Sequence, residues 1–351
     1  FIRSYLGFRH LYGLPVNGII RSSIFRQFCG GESIEGCSGT VEKLNKNKIG
    51  AILDFSVEGK YTDDDYDAAL KEKIKGVDNA KGNPSIPFCV IKITAIVRYG
   101  ILEKVGTKEQ LSESEKNEFD KVKLRLDQLC NQCSLCNVPL LIDAEESWMQ
   151  GAIDYLAFEM MKKYNTTKPV IYNTIQLYRW DRLDFMKKLY KNCIDNNLFM
   201  GVKLVRGAYM EKERERSEKF GYKSPIHASK ENTDTDYDNA VLFCIERVDK
   251  IGFIAATHNE TSCSKLALKI EEKKLDKKHP HIYFGQLYGM SDQITYNLAF
   301  NGFNVAKYVP YGPIKEVLPY LIRRAQENSS IAGQMGRELS LIIKEKERRK
   351  L

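Results

Sequence analysis

The stretch PLLIDAEESWMQGAIDYLAFEMMKKYNTTKPVIYNTIQLY, residues 139–178, decides the fold. It opens on a short, nearly unbroken apolar run, PLLIDAE (139–145). GAIDYLAFEMMKKY follows with helical period, and a second apolar run, PVIYNTIQLY (169–178), closes the unit. Strands that are apolar on both faces are buried on both faces, as in a parallel sheet whose crossovers are helices.

The same rhythm extends in both directions. AILDFSVE (51–58), FCVIKITAI (88–96), FMGVKLVRG (199–207), GFIAATHN (252–259), HIYFGQL (281–287) and FNVAKYVP (303–310) read as six more strands. Helical segments such as TSCSKLALKIEEKK alternate with them. Eight β/α units predict an α/β fold of the (β/α)8 TIM-barrel type over residues 51–330. A doubly wound open sheet is the alternative; it would carry a glycine fingerprint after its first strand, and this chain has none there. Residues 1–50, with Gly30, Gly31, Gly36 and Gly39, read as a partly helical N-terminal arm. Residues 331–351 read as a basic, helical C-terminal tail.

The last sizeable stretch, VAKYVPYGPIKEVLPYLIRRAQENSS (305–330), turns at Pro310-Tyr311-Gly312-Pro313 and predicts a strand ending near Tyr308, followed by a turn or one-turn helix. Proline is welcome in a helix's first turn, so the main helix is expected from about Pro319 to Asn328. Helical spacing sets Tyr320 beside Arg324 and brings Glu327 within reach of Arg323 and Arg324. Adjacent arginines are commonly a solvated face. Behind a tyrosine-tipped strand, and braced by a carboxylate, they fit a final helix lying over the barrel mouth and holding a small anion, because guanidinium matches carboxylate geometry.

A barrel demands its chemistry at the C-terminal strand ends. Polar residues collect there: Lys92, Asp143 with Glu145 and Glu146, Gln176, Lys203 and Arg206, Thr257-His258-Asn259, Gln286 and Tyr308. A lysine inside an apolar strand needs a partner, and a Lys92–Asp143 ion pair between neighbouring strands is the expectation.

The 351 residues include 54 basic and 46 acidic side chains, a net charge of +8. The excess is dispersed lysine plus the tail around Lys344–Lys350, with no aromatic-interleaved basic patch, so no nucleic-acid partner is expected. No apolar run approaches the roughly 20 residues that span a bilayer, which leaves only peripheral membrane contact. Nine cysteines without framework spacing suggest free thiols in a reducing compartment. Cys130, Cys133 and Cys136 superficially suggest iron–sulfur ligation, but a fourth thiolate is missing and their spacing is a helical stripe. No set of side chains shows metal spacing. The first residue is Phe1, so a natural N-terminus and any targeting peptide are expected ahead of it.

The motifs VIKITA, LLIDAEE, NTIQLY, VKLVRGAY, ATHN, QLYGM and YVPYGPIKEVLPYLIRRAQEN, in this order, resemble the proline dehydrogenase family. The resemblance covers roughly Ala51 to Ser330. It implies FAD bound across the strand ends and oxidation of L-proline to 1-pyrroline-5-carboxylate, with electrons passed to ubiquinone. The substrate carboxylate would meet Arg323, Arg324 and Lys92, and Asp143, Tyr209 and Tyr308 would complete the pocket. Glu327 would brace the arginines. Gln176, Lys203, Val205, Gly207, Thr257, His258, Asn259, Gln286 and Leu287 align with flavin-contacting positions. Lys203 stands where bacterial members commonly carry arginine. No aldehyde-dehydrogenase module is present in the sequence, so the resemblance is to the monofunctional mitochondrial type, on the matrix side of the inner membrane and in peripheral contact with it. The rival readings are a hydroxyproline dehydrogenase and an aldolase or lyase using Lys92 or Lys203 as a Schiff-base nucleophile. A further rival is a non-enzymatic basic barrel that binds nucleic acid or protein.

Overall fold

The computed structural model describes residues 21–55, 62–330, 343, 344 and 346–349; of residues 21, 22 and 325–330 only the backbone is described. Eight parallel strands run in the order β1-β8-β7-β6-β5-β4-β3-β2. They are β1 Gly50–Phe55, β2 Cys89–Lys92, β3 Leu140–Asp143, β4 Ile171–Gln176, β5 Met200–Val205, β6 Ile251–Ala256, β7 Ile282–Leu287 and β8 Val305–Tyr311. Around them lie α1 Ser38–Asn45, α2 Asp63–Ala80, α3 Tyr99–Gly106, α4 Glu113–Cys136, α5 Ser147–Tyr164 and α6 Arg182–Asp195. The circuit continues with α7 Met210–Phe220, α8 Lys230–Ile245, α9 Glu260–Glu272, α10 Asp292–Phe300 and α11 Ile314–Ser330. The expected (β/α)8 barrel is present.

Side chains alternate across each strand. Ile52, Val90, Leu141, Tyr172, Ile254 and Ala306 point inward and, with Phe88, fill the barrel's interior, where Phe88 meets the Tyr172 and Tyr283 rings edge-on. Their neighbours, among them Ala51, Ile91, Ile142, Ile175, Phe253, Phe284 and Val309, point outward into the main core under the helices. Cys130, Cys133 and Cys136 all lie buried on α4, the packing stripe their spacing predicts.

Three boundaries differ from the sequence expectation. Most strands are shorter, because the polar residues at their C-terminal ends leave the ladder for the loops. FCVIKITAI, for example, stops being strand at Lys92 and passes into a short 3-10 turn, Ile93–Ala95. β8 instead runs past the expected end near Tyr308 to Tyr311, with Pro310 and Tyr311 paired to Asp54 and Phe55 of β1, so the expected turn begins only at Gly312. The last helix begins at Ile314, five residues before Pro319, which lies inside it. Pro313 is the proline that opens this helix, its carbonyl accepting from the Glu316 and Val317 amides at 2.8 and 3.1 Å.

The third difference is in the arm, whose residues 1–20 lie outside the described set. Residues 21–28 form short helical turns, and Phe25 and Phe28 pack with Met290 against Ile314, Val317, Tyr320 and Leu321 of α11. The arm thus seats the last helix. Gly30 follows alongside β8, its amide donating to the Pro310 carbonyl at 2.9 Å. A Cβ there would stand 2.5 Å from Val309 Cγ1, so only glycine lets the chain approach this closely. In the tail, residues 343, 344 and 346–349 are helical and exposed.

The barrel is laced on seven sides. β1 and β2 share no ladder, although the Ala51 amide donates to the Ser85 carbonyl at 2.7 Å across this seam. Among the described residues no helix is long and apolar enough to cross a membrane.

Candidate active site

Lys92, Asp143, Gln176 and Val205 are the last residues of β2, β3, β4 and β5, and Leu287 is the last of β7. The site residues therefore share the C-terminal end of the barrel. Asp143 is the hub. It pairs with the Lys203 ammonium from β5, and its Oδ2 accepts from the Tyr308 hydroxyl at 2.9 Å. The same ammonium lies 5.2 Å from the centre of the Tyr308 ring.

This corrects the expected Lys92–Asp143 pair. The two residues are in register on adjacent strands, but alternate strands supply one interior layer, and Lys203 reaches Asp143 from two strands away. The charge of Lys92 acts instead on Glu145 and on the Tyr209 hydroxyl. Glu145 is buried; its Oε1 accepts from the Thr94 amide at 3.1 Å and its Oε2 from the Thr94 hydroxyl at 2.7 Å. Burial pushes its carboxyl up to about 7, against the pull of Lys92 and of the Thr94 donors. Gln176 donates to the Glu145 carbonyl at 2.7 Å, and Gln150 accepts from the Glu145 amide at 3.0 Å. Gln150 is itself held by Asp154, which takes both arms of the Arg182 guanidinium.

On the opposite side, Thr257 Oγ1 accepts from Arg206 at 2.6 Å and from the Asn259 amide at 3.0 Å. Asn259 caps α9 by accepting from the Ser262 amide at 3.1 Å. His258 Nδ1 is 2.9 Å from the Ser291 hydroxyl. Burial, then the charges of Lys307, Arg324 and Arg206, bring its imidazole down to about 3, so it is neutral at physiological pH. Gln286 donates to the Thr257 carbonyl at 3.2 Å and accepts from Thr295 at 2.9 Å; it acts on the strand ends through Thr257. Gly207 adopts φ +140°, and a Cβ there would come within 2.5 Å of the Tyr178 ring.

The final helix closes this arrangement. The Arg324 guanidinium lies 5.3 Å from the centre of the Tyr320 ring, as helical spacing predicts. Arg324 acts on His258, whereas Arg323 acts on the Tyr209 hydroxyl. The side chain of Glu327, the expected brace, lies outside the described residues.

A model of the proline dehydrogenase family matches residues 37–337. The chain belongs to the proline dehydrogenase family. It is 33% identical to a mitochondrial proline dehydrogenase 1 of Dictyostelium discoideum, over 95% of this chain and 66% of that protein. It is 34% identical to the carbapenem antibiotics biosynthesis protein CarD of Pectobacterium carotovorum, over 92% of this chain and 83% of the relative. The crystal structure of proline utilization A from Bdellovibrio bacteriovorus, inactivated by N-propargylglycine, superposes with a TM-score of 0.79 at 21% identity. That match covers 90% of this chain and 34% of the longer bacterial one, and it shows the shared barrel. The chain spans about two thirds of the Dictyostelium relative.

The family implies FAD, and the residues present fit it. Lys203, Arg206 and Arg324 supply cations and His258 a neutral imidazole around the strand ends, a donor set suited to an electron-rich, phosphate-bearing ligand. Sequence reasoning missed the Thr94 cradle of Glu145, the seating of α11 on Phe25 and Phe28, and the contribution of α2 described below. The spacing of Phe25 and Phe28, three apart, is the one signal that an apolar face existed in the arm.

Proposed function

We propose that this barrel catalyses FAD-dependent oxidation of L-proline to 1-pyrroline-5-carboxylate, passing electrons to a quinone, in the mitochondrion. Peripheral contact with the matrix face of the inner membrane follows from a quinone acceptor. One observation carries the reading: at the C-terminal strand ends the Lys203 ammonium from β5 and the Tyr308 hydroxyl from β8 both close on Asp143 from β3. The Tyr209 hydroxyl feels Lys92 from β2 and Arg323 from α11 as well as Glu145 and Glu146, and cations arriving from distant elements suit capture of a small carboxylate.

In this reading Arg323, Arg324 and Lys92 hold the carboxylate, which fixes the ring against the strand ends. Three cations disfavour an ammonium beside them, so the amine is bound neutral and its lone pair is available to form the C=N bond. Asp143, fixed by Lys203, holds the Tyr308 hydroxyl, and the phenol limits room on one side of the pocket. Glu327 braces the arginines. Gln176, Lys203, Val205, Gly207, Thr257, His258, Asn259, Gln286 and Leu287 would hold the flavin, which supplies the hydride acceptor when bound.

The Lys203–Asp143 pair disfavours the Schiff-base alternative, since a carboxylate-bound ammonium is a poor nucleophile. The test is a visible spectrum of the purified protein before and after L-proline is added without oxygen. A yellow flavin absorbance that bleaches is expected; a colourless protein, or a yellow one that proline leaves unchanged, would overturn the assignment.

A further inference from the structure

Asp54 and Lys73 have no place in the pocket just described, yet they are among the buried charges of the molecule. Asp54 is 2% exposed and Lys73 7%. Asp54 is on β1, inward-facing like Ile52, which is in register with Tyr308 of β8. Asp54 therefore stands one step further along the interior from Tyr308, and it faces the same hydroxyl that Asp143 holds. Lys73 belongs to α2, outside the barrel, and its Nζ donates to Asp54 Oδ1 at 2.9 Å. α2 packs against both β1 and β2, so Lys73 enters between the two strands that share no ladder.

The order of groups across the mouth is then Lys73, Asp54, Tyr308, Asp143, Lys203. A phenol carries one proton and can donate it to one carboxylate only. Asp143 accepts it at 2.9 Å, and Asp54 stands close enough to compete for the same proton. Asp54 can remain a carboxylate on the phenol's other side because Lys73 neutralises it. Without that ammonium, the buried Asp54 would take up a proton more readily and become a donor to the phenol oxygen. The ring would then be drawn off the Asp143 bond.

We infer that Lys73, reaching through the unlaced β1–β2 seam to Asp54, is a positioning residue for Tyr308 and thereby helps set which ring the pocket accepts. This rests on the reading that Tyr308 lines the substrate pocket.

The test compares kcat/KM for L-proline and trans-4-hydroxyproline in the flavin-loaded enzyme, as a ratio that does not depend on the fraction of active protein. Lys73→Met should lower the preference for proline about tenfold, a coupling typical of contacting residues. Lys73→Arg should restore most of it. Lys75→Met is the control on the same helix, an exposed lysine paired with Glu35, and should change nothing. In a Tyr308→Phe background Lys73→Met should have no further effect. If Lys73→Met does not fold, Asp54→Asn reads the same coupling and should shift the ratio only while Tyr308 is present. An unchanged ratio in these variants, with Tyr308→Phe shifting it, overturns the inference alone. If Tyr308→Phe itself leaves the ratio unchanged, the pocket reading fails. The contact is then judged by 19F NMR of protein labelled with 3-fluorotyrosine. The resonance that Tyr308→Phe removes should move in Lys73→Met and stay in Lys75→Met, and a resonance that ignores Lys73 overturns the positioning claim.

Discussion

Arg323 acts on Tyr209, and Arg324 acts on His258. Arg323→Met or Arg324→Met should each raise the KM for proline while flavin content is retained. Losing one charge-assisted bond to a buried carboxylate costs about 1.5–3 kcal/mol, roughly ten- to a hundredfold in affinity. Steady-state kinetics on flavin-replete variants checks this, and unchanged KM values in both would remove the arginines from the substrate site. Tyr308 bears on the choice between proline and hydroxyproline. Its phenol crowds an added hydroxyl, and Tyr308→Ser should lower the preference for proline by about 10–200-fold, the range for one extra heavy atom in a packed pocket. The kcat/KM ratio for the two substrates measures it directly. At this scale the sequence was legible for residue type and strand position. It was silent on partners: Lys92 and Asp143 are in register, yet Asp143 pairs with Lys203, because side-chain reach across an interior layer is not written in strand spacing.

All eight strands were legible as mainly apolar runs, because both of their faces are buried and the few polar residues inside them are buried as well. Their C-terminal boundaries were not, since LLID and AEE differ in hydrogen bonding before they differ in composition. The last helix shows the same limit. Two prolines six residues apart both suit a first turn, and only the carbonyl of Pro313 accepting from Glu316 and Val317 selects the start. The arm gave no chemical signal because its role is to fit against β8. Gly30→Ala should therefore destabilise the fold by about 1–3 kcal/mol, the usual range for overpacking. Gly39→Ala, where an added Cβ meets nothing within 4 Å, should be nearly neutral. Denaturant titration of the two variants makes the comparison.

For the whole molecule, the burial of ionisable groups at the barrel mouth links stability to pH. Glu145 is raised from 4.5 to about 7, so the folded state holds an extra proton between those values. Its contribution is fully present below pH 4.5 and is lost as pH rises through about 7. His258 works in the opposite direction. Its value falls from 6.5 to about 3, so its contribution is present above pH 6.5 and is lost as pH falls towards 3. Glu145→Gln should leave a stability profile that rises more steeply from pH 4.5 to 7 than that of the parent. Chemical denaturation across that range reads the difference, and parallel profiles would show that Glu145 does not titrate there.

A barrel closed all the way round has no first strand, whereas this one has an edge. β1 and β2 each turn one row of amides toward a neighbour that returns no ladder. Hydrogen–deuterium exchange should find that edge. Apart from Ala51, whose amide is bonded to Ser85 across the seam, the amides of β1 and β2 that face the seam should exchange well ahead of those in β4, β5 and β6, which have laddered neighbours on both sides. Thermal opening of the barrel would then start at one fixed place and travel round it in both directions. The most slowly exchanging amides should lie diametrically opposite, where β4, β5 and β6 carry Gln176, Lys203 and the strand leading to Thr257.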